Sequence, residues 1–223
     1  MRNQLVNRGT SPAVRAPLRP RAAGVPSPPC RGALSGVGPL LSVAHAVIAT
    51  FDPVADGKIR AIWTALSDHA IDSSMAALDV SPHITLAVMN NVAPGALTEC
   101  AGSLATRTVP FSVRFDHTDL FPGHETVLFL APQNSRSLVA VHKAFHESAV
   151  GIGVSTEHTR PGTWVPHVTL AMALRKQSLA AAQNILSEAF QAFSAQVTGL
   201  AVVRFDPTAR LRRATIVHQA AFQ

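Results

Sequence analysis

The chain has 223 residues, 47% of them hydrophobic and only 14% charged. That is enough apolar material for a sizeable core and too little charge for a wholly solvated, disordered chain. Two cysteines, Cys30 and Cys100, supply no disulfide framework and no metal cage, so reduced cytosol is the expected compartment. The net charge of +6 belongs entirely to the first 42 residues, whose six charged side chains are Arg2, Arg8, Arg15, Arg19, Arg21 and Arg31; beyond them thirteen basic residues face thirteen acidic ones, a weak basis for a surface that binds long nucleic acid.

Residues 1–42 also carry seven prolines, each of which fixes φ and removes a donor, and the segment reads as a disordered tail. An inert extension, an organellar transit peptide and a start codon placed too early all fit that composition. No run of 18 apolar residues occurs, so no membrane-spanning helix is expected. The ordered part then alternates. "VAHAVIATF" (43–51) reads as a strand, and 55–71 has the helical apolar spacing Ile59, Ile62, Trp63, Leu66. A strand at 83–89, a proline-started helix at 94–105 and strands at 109–116 and 126–132 follow. A helix at 135–150 ends at Gly151. Residues 167–173 form a strand, and 177–193 is the clearest helix. Residues 195–206 and 211–222 close the chain as an antiparallel pair around "DPTAR".

One hexapeptide is written twice. Pro-His-Ile-Thr-Leu-Ala begins at Pro82 and Pro-His-Val-Thr-Leu-Ala at Pro166, 84 residues later. "VRFD" also recurs, at 113–116 and 203–206, each copy following its own histidine in the same order. The order strand–helix–strand–helix–strand describes 43–116 and again 126–206, so the chain reads as two similar lobes, approximately 43–122 and 123–223, with an exchange of terminal strands between them allowed by the pattern.

Alternate side chains of a strand share a face. His83 and Thr85 then point one way and Ile84 and Leu86 the other; His167 and Thr169 stand likewise over Val168 and Leu170. Two imidazoles and two hydroxyls converging on one volume suit acid–base work on a phosphodiester. One neutral ring takes a proton, the other, protonated, gives one up, and the hydroxyls donate to phosphate oxygens. A metal pair is the weaker reading, because no carboxylate recurs beside either histidine; no metal and no cofactor are expected.

The doubled His-x-Thr motif in an internally repeated chain resembles the two-histidine phosphoesterase superfamily, which includes 2′-5′ RNA ligase-like proteins and 2′,3′-cyclic nucleotide phosphodiesterases. The resemblance covers about residues 43–222. It implies a bilobal α+β fold in which two antiparallel sheets face a central cleft with helices outside. It also implies His83 and His167 as acid and base, in an order left open, and Thr85 and Thr169 as phosphate ligands. The expected substrate is a nucleotide or RNA end bearing a cyclic phosphate, acted on by a monomer in the cytoplasm without membrane contact. The alternatives are a non-catalytic protein that binds nucleotides or RNA ends, and a 2′-5′ RNA ligase. Members of the ligase-like branch often carry an arginine directly after the second motif; here Met172 stands there and the nearest arginine is Arg175.

Lesser candidates surround the motifs. Trp164 could stack on a base but reads first as core. His158 and Arg160 lie in the loop before the second motif, where they would line the cleft mouth. His45 reads as a packed, hydrogen-bonded histidine. His69, His117, His124, His142, His146 and His218 show no pattern and read as surface or structural. Arg212 and Arg213 read as a solvated strand edge.

Overall fold

The computed structural model describes residues 43–123, 126–206 and 213–223. The arginine–proline tail, His124, Arg212 and residues 207–212 of the last turn fall outside these.

A mostly apolar run interrupted by His45 and Thr50 makes β1 (Ala44–Phe51), in which seven of eight residues are buried. Such a strand has to be covered on both faces, and it is. Val47, Ala49 and Phe51 join the main core, while Ala46 and Ile48 join a smaller cluster with Val80, Ala201, Val203 and Ala214. Asp52 then caps α1 (Pro53–Asp68), accepting from Val54 N and Ala55 N at 2.9 and 3.0 Å. Its second oxygen accepts from Gln196 N at 2.7 Å, so one carboxylate starts the helix and ties it to a strand 144 residues away. A cap of this kind contributes about 1 kcal/mol.

The remaining elements follow the expected order: β2 (His83–Asn90), α2 (Pro94–Ala105), β3 (Phe111–Phe121), β4 (Thr126–Pro132), α3 (Arg136–Ser148), β5 (Val168–Leu174), α4 (Leu179–Ala189), β6 (Phe193–Asp206) and β7 (Arg213–Ala221). Gly151, at φ +85°, takes the left-handed turn beyond α3 that a side chain would disfavour. The largest departures from the expected boundaries are at two elements. β3 runs on past a register shift between Phe115 and His117. The helical periodicity over 177–193 stops at Ala189, preceded by a 3₁₀ turn at Lys176–Ser178, because Phe193 is taken by the sheet, where it pairs with Phe115. Propensity yields there to tertiary pairing.

Among the described residues all strand pairs are antiparallel, in the path β2-β1-β6-β3-β4-β5, with β7 added to β6. The seven strands are hydrogen-bonded into one sheet rather than the two separate sheets expected, and the reason is the length of β6. Its first residues pair with β3 at Phe111–Phe115, whereas its later residues lie between β1 and β7. Gly199 marks the changeover: a Cβ there would meet Ala220 O at 2.5 Å. β2 and β5, the two ends of the path, nevertheless contact each other, so the sheet curls until its termini meet. From either end, the path gives the same three-strand order, β2-β1-β6 and β5-β4-β3: a motif strand, the strand before it in the chain, and the last strand of the other half.

Candidate active site

The motif strands obey their alternation. Ile84, Leu86, Val168 and Leu170 are buried in the main core, while His83, Thr85, His167 and Thr169 are only half-buried. In both strands the pairing then skips the motif leucine. Thr85 pairs with Ile48 and Ala87 with Val47, leaving Leu86 unmatched; Thr169 pairs with Phe129 and Ala171 with Leu128, leaving Leu170 unmatched. A bulge bends a strand and re-aims its side chains. Here it reverses the phase, so that Ala87 and Met89 stay in the core after Ile84 and Leu86.

The histidine rings are held alike. His83 Nδ1 donates to Ser81 O at 2.7 Å and His167 Nδ1 donates to Val165 O at 2.8 Å. Because each acceptor is a carbonyl, the proton sits on Nδ1, and Nε2 is the nitrogen that gains or loses one. Neither Nε2 has a protein partner among the described residues. Loss of hydration lowers the pKa of both rings; for His83 the positive form of His167 lowers it further, while each carbonyl bond pulls the other way.

Behind the strands stand groups whose hydrogen bonds to the motifs the sequence pattern did not show. Trp164 Nε1 donates to Thr85 O and Trp63 Nε1 to Thr169 O, both at 2.9 Å. On the free edge of β2, His146 Nε2 donates to Leu86 O at 3.2 Å, Val88 N donates to Thr159 Oγ1 at 3.2 Å, and Thr156 N donates to Val88 O at 2.8 Å. His142 stacks on Trp164 with centroids 3.9 Å apart and planes 3° from parallel. His167 instead faces phenylalanines. Phe121 meets it edge-on at 4.9 Å and Phe129 lies at 5.3 Å, the two rings stacking on each other at 4.3 Å. Only a cross-strand register could have placed Phe129 beside the motif; its strand pattern alone says nothing of His167.

The lesser candidates divide. Trp164 is a packing and hydrogen-bonding residue. His142 and His146 are structural rather than surface groups, packed behind the first motif. His45 is packed, but neither of its ring nitrogens has a hydrogen-bond partner among the described residues, against expectation; its pKa is lowered by loss of hydration and by the nearby Arg204 charge. Arg160 Nε donates to Ser155 O at 2.7 Å, and the residue borders a pocket of about 290 Å³ with Met89 and His146. Met89 points into the core, so this pocket lies on the side of β2 away from the motif face. His158 is exposed, and Met172 packs against the core. Among the described residues no three His, Cys, Asp or Glu side chains gather to hold a metal ion, and no helix is long and apolar enough to cross a membrane.

An arrangement of two imidazoles with free Nε2 atoms and two hydroxyls beside them can pass a proton in at one side of a phosphate and out at the other. Solved structures share the fold. E. coli LigT in complex with 3′-AMP superposes with a TM-score of 0.56 at 18% identity, over 82% of this chain and 99% of that one. A protein described as a phosphoesterase gives 0.54 at 20%, over 82% and 99%. TT0787 of Thermus thermophilus gives 0.54 at 17%, over 80% and 97%. No curated protein matches by sequence. The sequence model of one family, described as the 2′-5′ RNA ligase superfamily, matches residues 51–209, a span that contains both His-x-Thr strands and six of the seven sheet strands in whole or part. The chain belongs to the 2′-5′ RNA ligase superfamily, within the two-histidine phosphoesterases.

Proposed function

We propose that the protein is a metal-independent phosphodiesterase that opens 2′,3′-cyclic phosphates of nucleotides or short RNA ends, with His83 and His167 as the acid–base pair and Thr85 and Thr169 as phosphate ligands. The observation that carries this is the matched state of the two rings: each has its Nδ1 committed to a carbonyl and each has an Nε2 with no partner among the described residues. In the forward step the neutral ring takes a proton from water as its oxygen bonds to phosphorus. The protonated ring delivers a proton to the departing ribose oxygen, so charge and protons balance without a covalent intermediate. The threonine hydroxyls donate to the non-bridging oxygens, whose charge grows in the transition state.

Phe121, half-buried and stacked on the buried Phe129, gives the His167 side an apolar surface on which a nucleobase can lie. Binding of 3′-AMP by LigT is in keeping with a nucleotide in the same place. The neutral charge balance beyond residue 42 favours a small substrate over a long RNA, whose binding draws on many phosphate contacts. The two similar halves belong to the same reading: lobes of about 43–122 and 123–223, exchanging β3 and β6, put one motif on each side of the phosphate.

The test is turnover of the four 2′,3′-cyclic mononucleotides and of 2′-5′ linked dinucleotides after exhaustive EDTA treatment. We expect hydrolysis of the cyclic compounds undiminished by chelation. Loss of activity with EDTA and its return with one divalent ion would replace this mechanism by metal catalysis.

A further inference from the structure

β2 and β5 end the strand path, so among the described residues each has an edge to which no named strand is hydrogen-bonded. A covered carbonyl on such an edge needs another donor. In both strands the motif threonine supplies such a carbonyl, and in both the donor is an indole, 2.9 Å away. Trp63 and Trp164 are the only tryptophans in the chain. Each crosses over. Trp63 stands on α1, in the part of the sequence that carries the first motif, and holds the second. Trp164 directly precedes the second motif and holds the first. Both are braced: Trp63 is 2% exposed, and Trp164 is backed by His142, whose Nε2 donates to Thr159 O at 2.9 Å. An indole N–H donates and never accepts, so these bonds admit one orientation.

We propose that Trp63 and Trp164 are a reciprocal pair of positioning residues that set the spacing and tilt of the two His-x-Thr motifs. This rests on the phosphodiesterase reading above. The carbonyl held by each indole and the hydroxyl aimed at phosphate belong to the same threonine, and the histidine lies two residues before it. Holding that carbonyl therefore fixes the rotation of the strand where the chemistry occurs, one residue ahead of the bulge at Leu86 or Leu170. The indoles act through the backbone and do not touch the substrate. A misplacement of about 1 Å between reacting groups costs on the order of 10²-fold in rate.

Trp63→Phe and Trp164→Phe in the full chain keep an apolar ring and delete the N–H. Ile59→Val, also in the α1 core, loses packing but no hydrogen bond and serves as the control. On 2′,3′-cyclic AMP we expect kcat to fall about 10- to 100-fold in each tryptophan variant with KM nearly unchanged, and the control to keep its kcat. NMR titration of the His83 and His167 ring nitrogens gives a readout independent of turnover: looser spacing weakens the influence of His167, so His83 titrates at higher pH in both tryptophan variants and not in the control. If the wild type hydrolyses no cyclic nucleotide, the activity reading fails while the titrations still decide the role of the indoles. If a variant does not fold, 5-fluorotryptophan, a stronger donor incorporated at these two positions alone, takes its place, and an unmoved histidine titration would overturn the proposal. Folded variants with unchanged kcat and unchanged titrations would overturn it equally.

Discussion

The strands of the two motifs share a backbone and differ in what surrounds them. β2 and β5 have the same Nδ1-to-carbonyl lock, the same unmatched leucine and the same indole on the threonine carbonyl. Around β2, however, the free edge is met by polar groups of His146, Thr156 and Thr159, the first two donating and Thr159 Oγ1 accepting, whereas around His167 the neighbours are Phe121 and Phe129. The shared features are those that orient the histidine and threonine; the divergent ones brace β2 from behind with polar groups and set aromatic rings against His167.

The largest effect tests the equality of the two halves. His83→Ala and His167→Ala should each lower kcat/KM on a 2′,3′-cyclic nucleotide by at least 10²–10⁴-fold, and the double variant should be little worse than the weaker single, because the two rings act as a unit. Circular dichroism should show all three folded, since both rings are half-buried on the motif face rather than in the core. A folded histidine variant with near wild-type turnover would break the symmetry and favour a binding protein.

The threonines sharpen the same comparison at smaller amplitude. Thr85→Val and Thr169→Val each remove one hydrogen bond to a charged acceptor, about 1.5–3 kcal/mol, and their losses in kcat/KM should agree within a few-fold. A large effect at one position and none at the other would mean that phosphate leans on one strand only.

The smallest effect is in pH. Both site histidines lie below the ordinary imidazole value of about 6.5, His83 through lost hydration and then the His167 charge, His167 through lost hydration. Acid protonates the base partner, alkali strips the acid partner, so kcat/KM should be bell-shaped with its maximum below pH ~6.5. The same direction governs stability. His45 and His142 are also held neutral, so below the unfolded-state pKa the unfolded chain binds more protons than the folded one and stability rises with pH. Thermal melts at pH 5 and 7.5 should give the lower Tm at pH 5; an unchanged Tm would mean that these rings protonate without resistance.

Much of this was legible in the sequence, for reasons of short range. A strand's period of two is local, so the half-buried His-x-Thr face over buried Ile84, Leu86, Val168 and Leu170 follows from the hexapeptide itself, and the helix at Pro94–Ala105 follows from its proline and apolar spacing. What only the tertiary structure decided involves partners far apart in the chain. The curl that joins the ends of the strand path depends on a 14-residue β6 shared by β1, β3 and β7. The indoles reach carbonyls 79 and 106 residues away, and the Phe121–Phe129 wall depends on the register of β3 on β4 and β4 on β5. Periodicity records which way a side chain points; which distant backbone atom completes its hydrogen bond is set by pairing across the sheet, and nothing in a local pattern carries that.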